Sequence, residues 1–321
     1  MLPCPLSAGW RLERQLELPR RAGDGQVLGG FSAIQYLPQS DRLWLLSDLP
    51  QGSLSLWTGL AQGGTPQLLR RLPLSAAGDR DGAVGTDAEG LVLRQGVAWL
   101  VSEADRARGR PAQLLAVDSG SGARLRTLPL PPAWQPGEGR GLLSNGGPES
   151  LVLLPAADGT PALLLAAEKP LQQDPPRQVR LLRWRWPEGQ GERSDAPAPE
   201  ELGSWLLPRG ENWGLTDLLA VDGGQLLALL RQFEPPERWR LRLALYPLPR
   251  AGVPAALAPL ASWDLIAAGL TPDNWEGLSF GPPLADGQAT LLLVSDDNLS
   301  PLQANRLALL VPQRPGCRAP R

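Results

Sequence analysis

The chain contains no histidine, and a single lysine, Lys169, stands against thirty arginines. The first absence excludes a Ser-His-Asp triad, a Cys-His pair and any histidine-ligated zinc or iron site. The second reads as coding bias. Phenylalanine (3) and tyrosine (2) are scarce beside tryptophan (12), so tryptophan has to do most of the aromatic packing. No apolar run approaches the ~18 residues of a membrane-spanning helix. The first residues, MLPCPLSAGW, lack the charged and apolar regions of a secretory leader. The expectation is a cytosolic protein, or a periplasmic or extracellular one whose leader has been removed. A net charge of -2 supplies no basic surplus for nucleic acid, and no charge run suggests a disordered tail.

What the chain does have is length and turns. Its 321 residues, 42% hydrophobic, suffice for a large core. The 36 glycines and 35 prolines are scattered between short apolar runs, which suits an all-β protein.

One pattern recurs five times: a short apolar strand opened by a small or acidic residue, a turn, and a second apolar strand ending in a charge. The copies are GFSAIQYLPQSDRLWLLSD (from Gly30), DAEGLVLRQGVAWLVSE (from Asp87), GPESLVLLPAADGTPALLLAAE (from Gly147), GLTDLLAVDGGQLLALLR (from Gly214) and NWEGLSFGPPLADGQATLLLVSD (from Asn274). Aligned on Ser32, Glu89, Glu149, Thr216 and Glu276, they are spaced by 57, 60, 67 and 60 residues. Runs this short, bounded by Gly, Pro, Asp or Asn, are strands and not helical repeats. Each unit continues into two further strand-like runs, such as AQLLAVD and RLRTLPL after the second copy.

Four antiparallel strands repeated radially make a β-propeller. The expected architecture is therefore one all-β propeller domain over residues 1–321. It has about five four-stranded blades, with units beginning near residues 30, 87, 147, 214 and 274. A sixth blade stays open if PEGQGERSDAPAPEE (187–201), read here as a surface loop, conceals strands. The last unit is one strand short, and WRLERQLELP (Trp10 to Pro19) is available to pair beside NRLALLVP (Asn305 to Pro312) and close the ring. Cys4 and Cys317 would then lie at the same end of that strand pair. A disulfide there is sterically sensible in an oxidising compartment, and two unpaired thiols are the alternative.

In a blade, the start of the first strand and the end of the second share one edge, and symmetry brings that edge of every blade to one channel mouth. The pairs gathered there are Ser32 with Asp48, Glu89 with Glu103, Glu149 with Glu168, Thr216 with Arg231, and Glu276 with Asp296; seven of the ten are carboxylates. Lys169 adjoins Arg231's mouth, and Asp87, Asn145, Asp217, Asn274, Asp297 and Asn298 flank it. So many carboxylates must be solvated, protonated, paired with Arg231 and Lys169, or neutralised by a metal. An all-oxygen set points to Ca²⁺, with Mg²⁺ second. The competing reading is structural: strand-end acids can cap backbone N–H groups in turns, and Asp48 and Asp297 are expected to do so. Trp99, Trp213 and Trp275 lie near the repeats, where core packing is favoured over lining a ligand cleft.

DAEGLVL with WLVSE, NGGPESLVLLP with LLLAAEK, NWGLTDLLAV with QLLALLRQF, and NWEGLSFGPPLADGQATLLLVSDDN resemble the phytase-like family described by "esterase-like activity of phytase". The resemblance runs from about Gly30 to Leu310. It implies a propeller with calcium-dependent hydrolysis of phosphate esters. The site it implies includes Glu89, Glu103, Glu149, Glu168, Arg231, Glu276 and Asp296. Members often carry an acid before the arginine of the fourth unit; here Leu230 stands there, which should leave Arg231 freer to meet an anion.

The expected chemistry is a calcium-dependent hydrolase for a small anionic ester, acting as a monomer. Glu89, Glu103, Glu149, Glu168, Glu276 and Asp296 would hold the metal. Glu149 and Glu276 would act on protons, and Arg231 and Lys169 would hold the phosphate. The alternatives are a calcium-dependent carboxyl-ester or lactone hydrolase, and a non-catalytic propeller that binds a ligand or partner around structural calcium.

Overall fold

The computed structural model describes residues 1–49, 52–74, 87–105, 109–143, 146–155, 161–186, 198–236, 238–252 and 255–313. Among them the strands form five four-stranded antiparallel sheets arranged as a propeller. Blade 1 runs β2 (Phe31–Leu37), β3 (Arg42–Ser47), β4 (Ser53–Thr58) and β5 (Gln67–Pro73). Blade 2 is β6 (Ala88–Arg94), β7 (Val97–Ser102), β8 (Gln113–Asp118) and β9 (Arg124–Pro129). Blade 3 is β10 (Ser150–Leu154), β11 (Ala162–Ala166), β12 (Gln178–Arg185) and β13 (Glu200–Leu206). Blade 4 is β14 (Trp213–Val221), β15 (Gln225–Glu234), β16 (Arg238–Pro247) and β17 (Ala261–Asp264). Blade 5 joins β18 (Asn274–Phe280), β19 (Leu291–Asp296) and β20 (Arg306–Pro312) to β1 (Trp10–Glu17), the chain's first strand. β1 and β20 pair antiparallel from Trp10↔Pro312 to Glu17↔Arg306, which closes the ring.

Of the stretch 187–201, residues 187–197 lie outside the described residues, as do Asn145 and Cys317. Glu200 and Glu201 are not loop but the start of β13, where they meet Arg183 and Arg180 across the strand pair. Cys4 is disulfide-bonded.

The core is divided among the blade interfaces. Five buried clusters fill the spaces between blades 2 and 3, 3 and 4, 4 and 5, 5 and 1, and 1 and 2. Tryptophan does the wedge-filling that its abundance suggested. Trp99 meets Trp186 at 5.1 Å between blades 2 and 3, and Trp205 stacks on Tyr246 at 4.7 Å between blades 3 and 4. Trp10 of the closing strand meets Trp263 edge-on at 6.1 Å. Wide rings suit wedges that open outward from a channel, where area buried per residue is greatest.

Near the axis the need reverses, and small residues let the inner strands approach. A Cβ on Gly90 would come within 2.7 Å of the Leu151 nitrogen, and one on Gly277 within 2.8 Å of Ile34 Cγ2. This explains the repeated Glu-Gly-Leu of blades 2 and 5: acid toward the mouth, then a residue with no side chain where neighbouring blades touch.

An acidic mouth at one end of the channel

In four blades the aligned repeat position coincides with a register shift between the first two strands. The shifts fall between Phe31 and Ala33, Ala88 and Leu91, Leu215 and Asp217, and Trp275 and Gly277, taking in Ser32, Glu89, Thr216 and Glu276. A bulge leaves its residue out of the ladder and re-aims the side chain. In blade 3, Glu149 immediately precedes β10.

Three of these positions, Glu89, Glu149 and Glu276, line one cavity of about 550 Å³ with Asp48, Asp87, Glu103, Glu168 and Asp296. Lys169 and Arg231 line it too, and Asn212, Asn274, Asn298, Gln303, Phe233 and Trp239 complete the wall. The structure thus brings together the charged members of the five repeat pairs, with Asp87 and Lys169, from all five blades, while Asp217 and Asp297 of the expected flanking set lie outside the cavity.

Ser32 and Thr216 go elsewhere. Ser32 Oγ donates to the Ala88 carbonyl at 2.8 Å, and Thr216 Oγ1 to the Trp275 carbonyl at 3.4 Å, each tying its blade to the next. Asp297 is a turn acceptor, taking Gly30 N and Leu299 N at 3.2 Å each. Asp217 accepts from Leu278 N at 2.6 Å and Leu218 N at 2.8 Å, and lies outside the acidic cavity. Asp48 departs from the turn role expected of it and lines the cavity. Trp99, Trp213 and Trp275 are core residues, 1%, 5% and 0% exposed.

Crowding and burial push these acids upward. Burial, then repulsion from Asp296 and Asp87, raises Asp48 to about 7. Burial and Asp87 raise Glu103 to about 7, against a hydrogen bond from Gly147 N at 2.7 Å. Glu276 reaches about 8 through burial, although Arg231 pulls it back. Burial drives Glu89 and Glu149 well above the ordinary carboxylate range, reinforced by Glu276 for the first and Glu168 for the second. Asp296 is raised by burial as well.

Arg231 occupies the centre of this arrangement. Its guanidinium bonds Glu276 and the Asn274 side-chain oxygen, and lies 3.7 Å from Glu168 and 3.8 Å from Glu149. Burial opposes its charge, and the three carboxylates outweigh burial and hold it protonated. Leu230 does not free Arg231 for an anion: Leu230 points into the blade 3–4 core, and Arg231 is committed to its carboxylates. Lys169 Nζ lies 3.2 Å from Glu168.

Hard oxygen donors without nitrogen or sulfur fit calcium in kind. Glu149 Oε2 is buried and makes no hydrogen bond, which leaves it open to a cation, while Glu168 Oε2, also without a hydrogen bond, already faces Lys169 Nζ. Among the described residues no three acids already form a group that could hold one ion. The present arrangement is organised around Arg231, and a metal would share its carboxylates.

Asp48 holds the mouth position that its pairing with Ser32 gave it; what sequence reasoning missed is the aromatic rim of Phe233 and Trp239. The signal for the rim was present in QFEPPERW, two aromatics flanking a Pro-Pro turn.

A profile for phytase-like proteins, described as "esterase-like activity of phytase", matches residues 26–299. No curated protein matches the sequence. Among solved structures, a thermostable family-43 glycoside hydrolase superposes with a TM-score of 0.51 at 11% identity, covering 95% of this chain and 99% of that one. An α-L-arabinofuranosidase from Clostridium thermocellum gives 0.50 at 10% identity, covering 86% and 88%. These likenesses establish the fold.

Proposed function

The chain belongs to the phytase-like family, and from that premise we propose that it is a hydrolase of small phosphate esters, working at the acidic mouth with calcium as cofactor. One observation carries the reading: six of the mouth's carboxylates are held above their ordinary range in a single cavity beside a charged arginine. Protonated and ionised carboxyls side by side supply an acid and a base at neutral pH.

The roles follow from surroundings. Glu149, buried and repelled by Glu168, keeps its proton and donates it to the departing ester oxygen. Glu276, whose charged form Arg231 stabilises, accepts the proton of the attacking water once ionised, so this role fills in as pH rises through about 8. Lys169, at the wall of the cavity, meets the phosphate. Arg231 orients Glu276 and does not hold substrate. Glu89, Glu103, Glu149, Glu168, Glu276 and Asp296 would contribute oxygens to calcium, which when bound supplies charge to offset theirs and to polarise a phosphoryl oxygen.

The test is turnover of p-nitrophenyl phosphate, bis-p-nitrophenyl phosphate and p-nitrophenyl acetate, with calcium and with chelator. Glu149→Gln and Glu276→Gln are expected to lower kcat by about 10²–10⁴-fold on the phosphate substrates. Turnover that survives both substitutions places the chemistry elsewhere.

Arg231 favours a second reading. An internal cation already neutralises part of the mouth, as a binding module would need. No turnover on any substrate, together with a calcium-dependent rise in melting temperature, would select it.

A further inference from the structure

β15 and β16 are ten residues each, the longest strands among those described. Their neighbours stop short: β14 pairs with β15 only as far as Gln232, and β17 with β16 only as far as Arg242. What lies beyond is a two-stranded overhang at the acidic end of the channel, turning at Pro235 and Pro236. On it, Phe233 and Trp239 are cross-strand partners with ring centres 4.5 Å apart and planes inclined by 39°. Phe233 is 38% exposed and belongs to none of the five cores. Propeller packing gives no reason for an aromatic pair there.

Both rings, with Gln303, form a wall common to the acidic cavity and to an adjoining trough of about 430 Å³. Pro236, Pro272 and Leu302, the last 80% exposed, give the trough apolar edges. Its one carboxylate, Asp273, is matched by Arg306. Gln303 Oε1 accepts from Asn298 at 3.3 Å, while Gln303 Nε2 is buried without a hydrogen-bond partner.

These features select a ligand. Among the described residues no cation lines the trough, so it offers nothing to hold an anionic group there. A purely apolar ligand would leave the Gln303 donor unsatisfied. A sugar ring offers both complements: a flat face of C–H groups to lie on an aromatic surface, and hydroxyl oxygens to accept from an amide. We propose that the trough binds a glycosyl unit of the substrate, its ring against Phe233 and Trp239 and a hydroxyl on Gln303 Nε2, which the amide presents by turning from its long 3.3 Å contact with Asn298. The ester presented to the mouth is then one carried on a sugar. The inference deepens the hydrolase reading and rests on it for the bond that is cleaved; the binding needs no turnover.

Saturation-transfer NMR and calorimetry on the full chain, with methyl β-D-glucopyranoside, cellobiose and xylobiose as probes, test it. Saturable binding is expected, weakened about tenfold or more by Trp239→Ala and retained largely by Trp239→Phe. Gln303→Ala should weaken it without shifting the melting temperature. Saccharide binding with this mutational pattern in a protein lacking hydrolysis supports the trough and removes the hydrolase reading. Hydrolysis without saccharide binding, or binding indifferent to Trp239→Ala and Gln303→Ala, overturns the trough and leaves that reading standing.

Discussion

Along β18 the channel changes character within a few residues: Asn274 and Glu276 line the acidic cavity, while Leu278 and Phe280 line an apolar space of about 180 Å³ farther in. β6 and β10 make the same switch, from Glu89 to Leu91 and from Glu149 to Leu151. Each half of the channel holds a buried acid of raised pKa, and their surroundings differ. Asp217, in the apolar half, has both oxygens taken by backbone N–H groups and ties blade 4 to blade 5. Glu276 answers to Arg231, Asp296 and Asp48. An acid closed off by backbone donors is a fastening. An acid whose neighbours are other titrating groups can exchange its proton for something else.

The contrast breaks or sharpens under substitution. The largest expected effect is Arg231→Met, which leaves Glu149, Glu168 and Glu276 without their shared cation. It should cost about 3–5 kcal/mol by denaturant unfolding at pH 7.5, and less at pH 5, where protons take the cation's place. An equal loss at both pH values would show that Arg231 matters only for packing. Asp217→Asn comes next, at about 1–3 kcal/mol, because one of its two N–H donors then faces an amide nitrogen.

A pH series sharpens the comparison further. Asp48, Glu103 and Glu276 bind protons more tightly folded, near 7, 7 and 8, than unfolded, near ordinary carboxylate values. Their contribution is therefore complete below about pH 4 and lost as pH rises through about 7–8. Without divalent cations the melting temperature should fall between pH 5 and pH 8, and calcium should flatten that fall. A melting temperature that rises over this window would mean the mouth is not proton-loaded. The smallest effect belongs to Lys169→Gln, whose 28% exposed side chain should contribute below about 1 kcal/mol to stability.

The ring and its mouth were legible because a period near sixty residues fixes which positions share an edge, whatever the turns do. Glu89, Glu149 and Glu276 could be aligned from sequence for that reason. Arg231's commitment could not, since it depends on how far a long side chain reaches across blades to Asn274 and Glu276. For Asp48 the pattern supports both a mouth position and a turn acceptor, because the Asp-Leu-Pro-Gln-Gly that it opens does not say which way the carboxylate points. The aromatic overhang escaped because strand overrun is a property of neighbouring strands that stop early.

The β1–β20 pairing has a consequence in time. The chain's first strand has no sheet partner until residues 306–312 emerge, so four blades can be synthesised while the fifth is still open. Glu276 and Asp296 belong to that fifth blade, and Arg231 waits for them. A ring without its fifth blade therefore leaves Arg231 facing Glu149 and Glu168 alone, without Glu276 and Asn274, and the mouth is finished only when β1 and β20 have met.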